Sequence, residues 1–160
     1  MPSPAHLASG EPAFGWCFYA IFPKLSSVTP LYVATATLPD MAWETAESNY
    51  FAGKVKLASK STINDCTLVL KDYVDPNVGA AAWSWFRSVG SLTDATVNPP
   101  AMYKCDGSLI ITDGRGSNVN TFILKGCHPS TLQFGDGDYS STDIMQITMT
   151  IVIDAIDLNE

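Results

Sequence analysis

The sequence predicts a mainly β protein, an antiparallel β-sandwich or barrel with one α-helix packed against it. Three observations carry that expectation. Residues 143–154 read Asp-Ile-Met-Gln-Ile-Thr-Met-Thr-Ile-Val-Ile-Asp, with Met145, Ile147, Met149, Ile151 and Ile153 on one side and Gln146, Thr148 and Thr150 on the other. A period of two marks a strand with one buried and one solvated face. Further runs rich in β-branched and aromatic residues are separated by Pro, Gly and Asp-Gly turn signals, as in proteins built from hairpins. Helical spacing is clear in one segment, Gly79 to Val89.

Residues 1–13, with three prolines among Gly, Ser and Ala, read as an N-terminal arm without regular structure unless a neighbour orders it. The remainder, 14–160, reads as a single β domain. Phe14 to Phe22 is too aromatic and too short for a surface helix and reads as a buried strand. Pro23 to Pro30 is a loop, and Leu31 to Leu38 a second strand closed by Pro39-Asp40. Met41 to Gly53 carries Trp43, Tyr50 and Phe51 among Glu44, Glu47, Ser48 and Asn49. An amphipathic helix is one reading; Asn49 and Gly53 favour a long exposed hairpin or loop. Lys54, Lys56 and Lys60 alternate with Val55, Leu57 and Ser59 as a strand with a basic face. Asp65 to Val74 is a strand ended by Asp75-Pro76, and Cys66, in phase with Leu68 and Leu70, reads as a buried thiol.

In the helix, alanines supply propensity. Ala82, Trp85, Phe86 and Val89 form the buried stripe, and Gly90 closes it. Leu92 to Met102 is a polar, proline-bearing loop. Strands follow at Ser108 to Thr112 and Val119 to Lys125, joined by Asp113-Gly114-Arg115-Gly116, a hairpin signal. Gly126-Cys127-His128-Pro129 interrupts the second of these, which resumes at Leu132 to Phe134. An acidic, turn-rich loop, Gly135 to Asp143, leads into the last strand.

Composition excludes several functions. Charged residues are 16% of the chain, below the usual quarter or so, so the surface must be covered by Ser, Thr, Asn and Gly, a composition suited to burial against other subunits. Nine basic against sixteen acidic residues, a net charge of −7, oppose phosphate-backbone binding. The sequence has no apolar run of membrane-spanning length and no secretory signal at its start. Four dispersed cysteines without a Cys-x-x-Cys pair, and two histidines, His6 and His128, give no zinc motif and fit reduced thiols in a protein made in the cytoplasm. Asp136 to Asp143 opens like a calcium loop, but Ser141 stands where such a loop needs Gly and Ile147 where it needs Glu. Neither histidine sits beside a recognisable nucleophile. No catalytic residue, metal or cofactor is expected.

Taken in order, several segments resemble a phage tail tube protein of the contractile-tail type, a family related to the tube protein of type VI secretion. They are the aromatic first strand, the strand ending Leu38-Pro39, Asn49-Tyr50-Phe51-Ala52-Gly53-Lys54, Cys66 to Lys71, Trp83-Ser84-Trp85-Phe86, Asp106 to Ile111, Phe122 to Pro129 and Ile144 to Asp154. The likeness departs at Ser48-Asn49, where the family more often carries a glycine, and in the arm. It implies a tail-tube-like subunit of hexameric rings stacked head to tail into a tube. DNA passes through such a tube without specific binding. The implied partners are further copies of the chain and the tape-measure, sheath, baseplate and tail terminator proteins, in a virion tail assembled in the host cytoplasm; a type VI-like ring that carries effectors is the alternative. Glu44, Glu47, Tyr50, Phe51 and Lys54 fall in the loop that touches a neighbouring subunit, and Gln146, Thr148 and Thr150 would line the lumen or the outer wall, the lumen being favoured.

Overall fold

The computed structural model describes residues 15–25 and 32–159. The expected arm, Phe14, and the span 26–31 of the expected loop and second strand lie outside the described residues. In chain order the described residues form β1 (Phe18–Ile21), a 3₁₀ turn (Pro23–Leu25), β2 (Val33–Ala36), β3 (Met41–Tyr50), β4 (Gly53–Ile63), β5 (Cys66–Lys71), α1 (Val78–Ser88), β6 (Gly90–Ser91), β7 (Thr96–Val97), α2 (Pro100–Tyr103), β8 (Cys105–Thr112), β9 (Asn118–Phe134), β10 (Gln146–Val152) and β11 (Ala155–Asn159). The expected β-sandwich or barrel with one main helix is therefore what the chain forms.

The main sheet runs β1-β8-β9-β10-β5-β2, every neighbouring pair antiparallel, and β11 also pairs with β9. Strand β9 belongs to both halves of it. Its first half lies between β8 and β11, and its second half pairs with β10. The two halves of the sheet enclose one core, in which Leu68, Leu70, Leu109, Leu124, Ile147, Met149 and Ile151 are essentially inaccessible.

Two sequence expectations are corrected here. The Gly126 to Pro129 segment does not interrupt a strand; it is the bend inside a continuous β9. Gly126 takes φ +66°, a left-handed conformation that costs a residue with a Cβ. The last strand ends at Val152, and β11 follows it against Lys125 to Thr121. Its signal was weak, because Ile156 and Leu158 alternate over too few residues to be distinguished from a tail.

Helix α1 begins one residue before the expected Gly79. Asn77 caps it, its Oδ1 accepting from the Ala80 N–H at 2.8 Å. Val78, Gly79, Ala82 and Trp85 are buried, whereas Phe86 and Val89 are only half-buried. Trp85 is the anchor: its ring meets Phe22 at 5.6 Å between centroids, and its Nε1 donates to the Tyr103 carbonyl at 3.0 Å. The stretch expected as a polar loop, Leu92 to Met102, holds β7, which pairs back onto β6 just before it, and most of α2. Asp113 organises the expected β8–β9 turn, its Oδ1 accepting from the N–H groups of Arg115 and Ser117.

Candidate assembly surfaces

Among the described residues, strands β3 and β4 form a sheet of two that joins no other. This settles Met41 to Gly53 as strand rather than helix and makes Lys54 to Lys60 part of its partner. Every residue of the hairpin is exposed except half-buried Ile63. At about 3.3 Å per residue, ten residues project roughly 30 Å. Thr45 pairs with Ala58 but Trp43 with Ser61, so Ser59 and Lys60 together stand opposite Glu44. This is a bulge, which bends and twists the ribbon.

Alternation gives the hairpin two different faces. Ala46, Ser48 and Tyr50 share one with Val55 and Leu57, and Thr45, Glu47 and Asn49 share the other with Lys54 and Lys56. The Glu47 carboxylate stands 3.2 Å from Lys54 Nζ and 3.8 Å from Lys56 Nζ. These lysines therefore have a partner within the same copy. Phe51, at the tip, is fully exposed, and Trp43 is 70% exposed. An isolated two-stranded hairpin is marginal in water, so this much apolar surface on one is a surface awaiting cover.

The second set lies elsewhere. Gln146, Thr148 and Thr150 stand in the middle of a sheet, opposite Lys71, Val69 and Thr67 of β5, and Thr148 and Thr150 also face Gln133 and Thr131 of β9. Their neighbours Ile147, Met149 and Ile151 point into the core. The outward face is thus a band of Thr, Gln and Val with Lys71 at one end. The sequence marked only its central strand, because alternation says which residues share a side but not which strands lie beside one another.

The hairpin and the acidic loop lie at opposite ends of the strands, and the Gln146–Thr150 band runs between them. The hairpin leaves where β2 ends and β5 begins, at Ala36 and Cys66, while the acidic loop 135–145 joins β9 to β10 beside Lys71. Within that loop Asp138 accepts from the Ser140 N–H and hydroxyl, which holds its carboxyl below the usual range. No group of three or more His, Cys, Asp or Glu side chains is placed to hold a metal among the described residues. Among them, too, no helix is long and apolar enough to cross a membrane.

No protein-family model matches this chain, and no curated protein matches it significantly. Solved structures do. A chain of the cryo-EM structure of an extracellular contractile injection system, the PVC sheath/tube terminator in its extended state, superposes with a TM-score of 0.75 at 18% identity, over 96% of this chain and 100% of that one. A chain of the PVC sheath-tube complex in its extended state gives 0.73 at 17% identity, over 99% of each. A chain of the anti-feeding prophage tube-terminating cap gives 0.74 at 18% identity, over 95% of this chain and 93% of that one. At these identities the likeness is one of fold, and the fold is the tube-like fold of contractile tails that the sequence resemblance implied.

Proposed function

We propose that this chain is the tube subunit of a contractile tail or injection system, a structural protein that assembles into stacked hexameric rings around a channel. The observation that carries the reading is the unpartnered β3–β4 hairpin, with apolar and aromatic side chains in water over its whole length, on a fold shared end to end with chains of such systems. A single-copy protein has no use for that surface.

The polarity of the subunit supports head-to-tail stacking. A hairpin bearing Lys54, Lys56 and Lys60 together with Glu44 and Glu47 leaves one end of the strands, and a loop bearing Asp136, Asp138 and Asp143 without a basic residue caps the other. Unlike ends in contact make a heterologous interface that does not close, which generates a filament of rings. In this reading Tyr50, Phe51 and Lys54, supported by Glu44 and Glu47, engage the adjacent copy. The Thr/Gln band around Thr148 lines the channel and lets a polymer pass without holding it.

Sheath, baseplate and terminator proteins are the partners this role requires, and a tape-measure protein would set tube length. The cargo of a phage tail would be DNA, repelled by an acidic subunit. Because two of the structural neighbours belong to an extracellular contractile injection system, a protein cargo is the second reading. Sedimentation velocity tests the assembly: the weight-average sedimentation coefficient should rise with concentration through a ring species. One concentration-independent monomer boundary would refute it.

A further inference from the structure

We propose that Cys105 and Cys127 are a redox-modification site, a cross-strand dithiol that a small disulfide such as oxidised glutathione closes into an intramolecular disulfide between β8 and β9. The two residues are direct Cα partners in the antiparallel ladder. Partners in such a ladder have Cα atoms about 4.5–5.5 Å apart and side chains on one face. A disulfide spans roughly 4.4–6.8 Å between Cα atoms, so the pairing lies within its reach, beside the register shift between Cys105 and Gly107.

The surroundings hold the pair in place. Lys104, before Cys105, bonds the Asp154 carboxylate; Asp106, after it, accepts from the Gly126 N–H at 3.0 Å; and Gly126 precedes Cys127. Both cysteines are thiols in this structure. Burial, and after it the proximity of Cys105, push the Cys127 thiol up to about 12, with Cys66 a smaller contributor. Burial also raises the Cys105 thiol, so both residues react through a small thiolate fraction and closure is slow.

Exposure gives the reaction an order, since Cys127 is fully buried and Cys105 half-buried. The Cys105 thiolate attacks one sulfur of oxidised glutathione, breaking its S–S bond and releasing one glutathione thiolate. The Cys127 thiolate then attacks the Cys105 sulfur of the mixed disulfide and releases the second. The two thiol protons pass to the two glutathiones, so the protein is oxidised by two electrons and glutathione is reduced by two. The bond ties β8 to the bend of β9, whether or not the chain builds a tube.

The test is to incubate the folded chain with oxidised glutathione, block remaining thiols with N-ethylmaleimide in denaturant, and map the peptides. The expected result is a Cys105–Cys127 linked peptide, with Cys17 and Cys66 blocked as thiols. Cys127→Ala should instead accumulate one glutathione on Cys105, and Cys66→Ala should leave the linkage intact, so the inference does not depend on one variant folding. Four blocked thiols after treatment, or a linkage that includes Cys66 or Cys17, would overturn it.

Discussion

Gly126 and Asp154 are in contact where β9 turns from one half of the sheet to the other. A Cβ on Gly126 would stand 2.3 Å from Asp154 Oδ2 and 2.8 Å from its carboxyl carbon. The contact has a reason: the Asp154 N–H donates to the Lys125 carbonyl at 3.0 Å, and its carboxylate binds Lys104. The break between β10 and β11 is thereby locked onto the bend of β9.

Gly126→Ala meets two penalties, a left-handed backbone and a clash. It should destabilise the chain by about 2–4 kcal/mol in urea unfolding. Asp154→Ala removes the carboxylate contacts, leaving only its own Cβ at 3.0 Å, but not the strain, so the double variant should be more stable than the sum of the single effects predicts. Simple additivity, which is expected of independent sites, would show that the contact is not made.

Tyr50→Ser with Phe51→Ser should separate assembly from folding. Both side chains are largely in water, so the unfolding free energy should change by less than about 0.5 kcal/mol while self-association is lost. Glu47→Gln removes ion pairs that are themselves exposed. It should cost no more than a few tenths of a kcal/mol. A large loss of stability from either change would mean that the hairpin packs on its own subunit.

Thr148→Lys addresses the channel face. Thr148 is half-buried on the outward side of a central strand, where a lysine can extend into solvent. The fold and tubes should survive, and cargo delivery in a complete particle should fall. Unchanged delivery would move that face to the outer wall.

The buried thiols make stability fall at high pH. Burial raises Cys66 from 9.0 to about 11, against a smaller opposing effect of its bond to the Thr37 carbonyl, and raises Cys127 from 9.0 to about 12. Below pH 9 both states hold these protons and stability is at its full value. As pH rises from 9 towards 12 the unfolded chain releases them first, so the folded state loses ground. Melting temperatures should decline over that window, and Cys66→Ala should flatten the decline after its cavity cost is subtracted. An identical slope in wild type and variant would remove Cys66 as the cause.

Much of this fold was legible in the sequence because its signals are local. The alternation of Ile147 to Ile153 and the Asp113 turn both reappear in the structure, as does the helix around Trp85, whereas Met145, expected on the buried face, lies before β10 and is exposed. The bend at Gly126 reads in the sequence as a break, because Gly126-Cys127-His128-Pro129 combines a glycine with a proline, both of which punctuate strands. The exposed hairpin was legible from Asn49 and Gly53, which suit a turn better than a helix. The Glu47 ion pairs, the bulge opposite Glu44 and the neighbours of Thr148 were not found, because each depends on which residue of another strand lies opposite, and alternation within one strand carries no register.

The central claim is that this chain builds rings that stack. Negative-stain electron microscopy of the purified wild-type chain at rising concentration, beside the Tyr50→Ser/Phe51→Ser variant, measures it most directly. The account predicts ring-shaped end views and tubes for the wild type, and neither for the variant. Isolated monomers of the wild type at the highest concentration would contradict it.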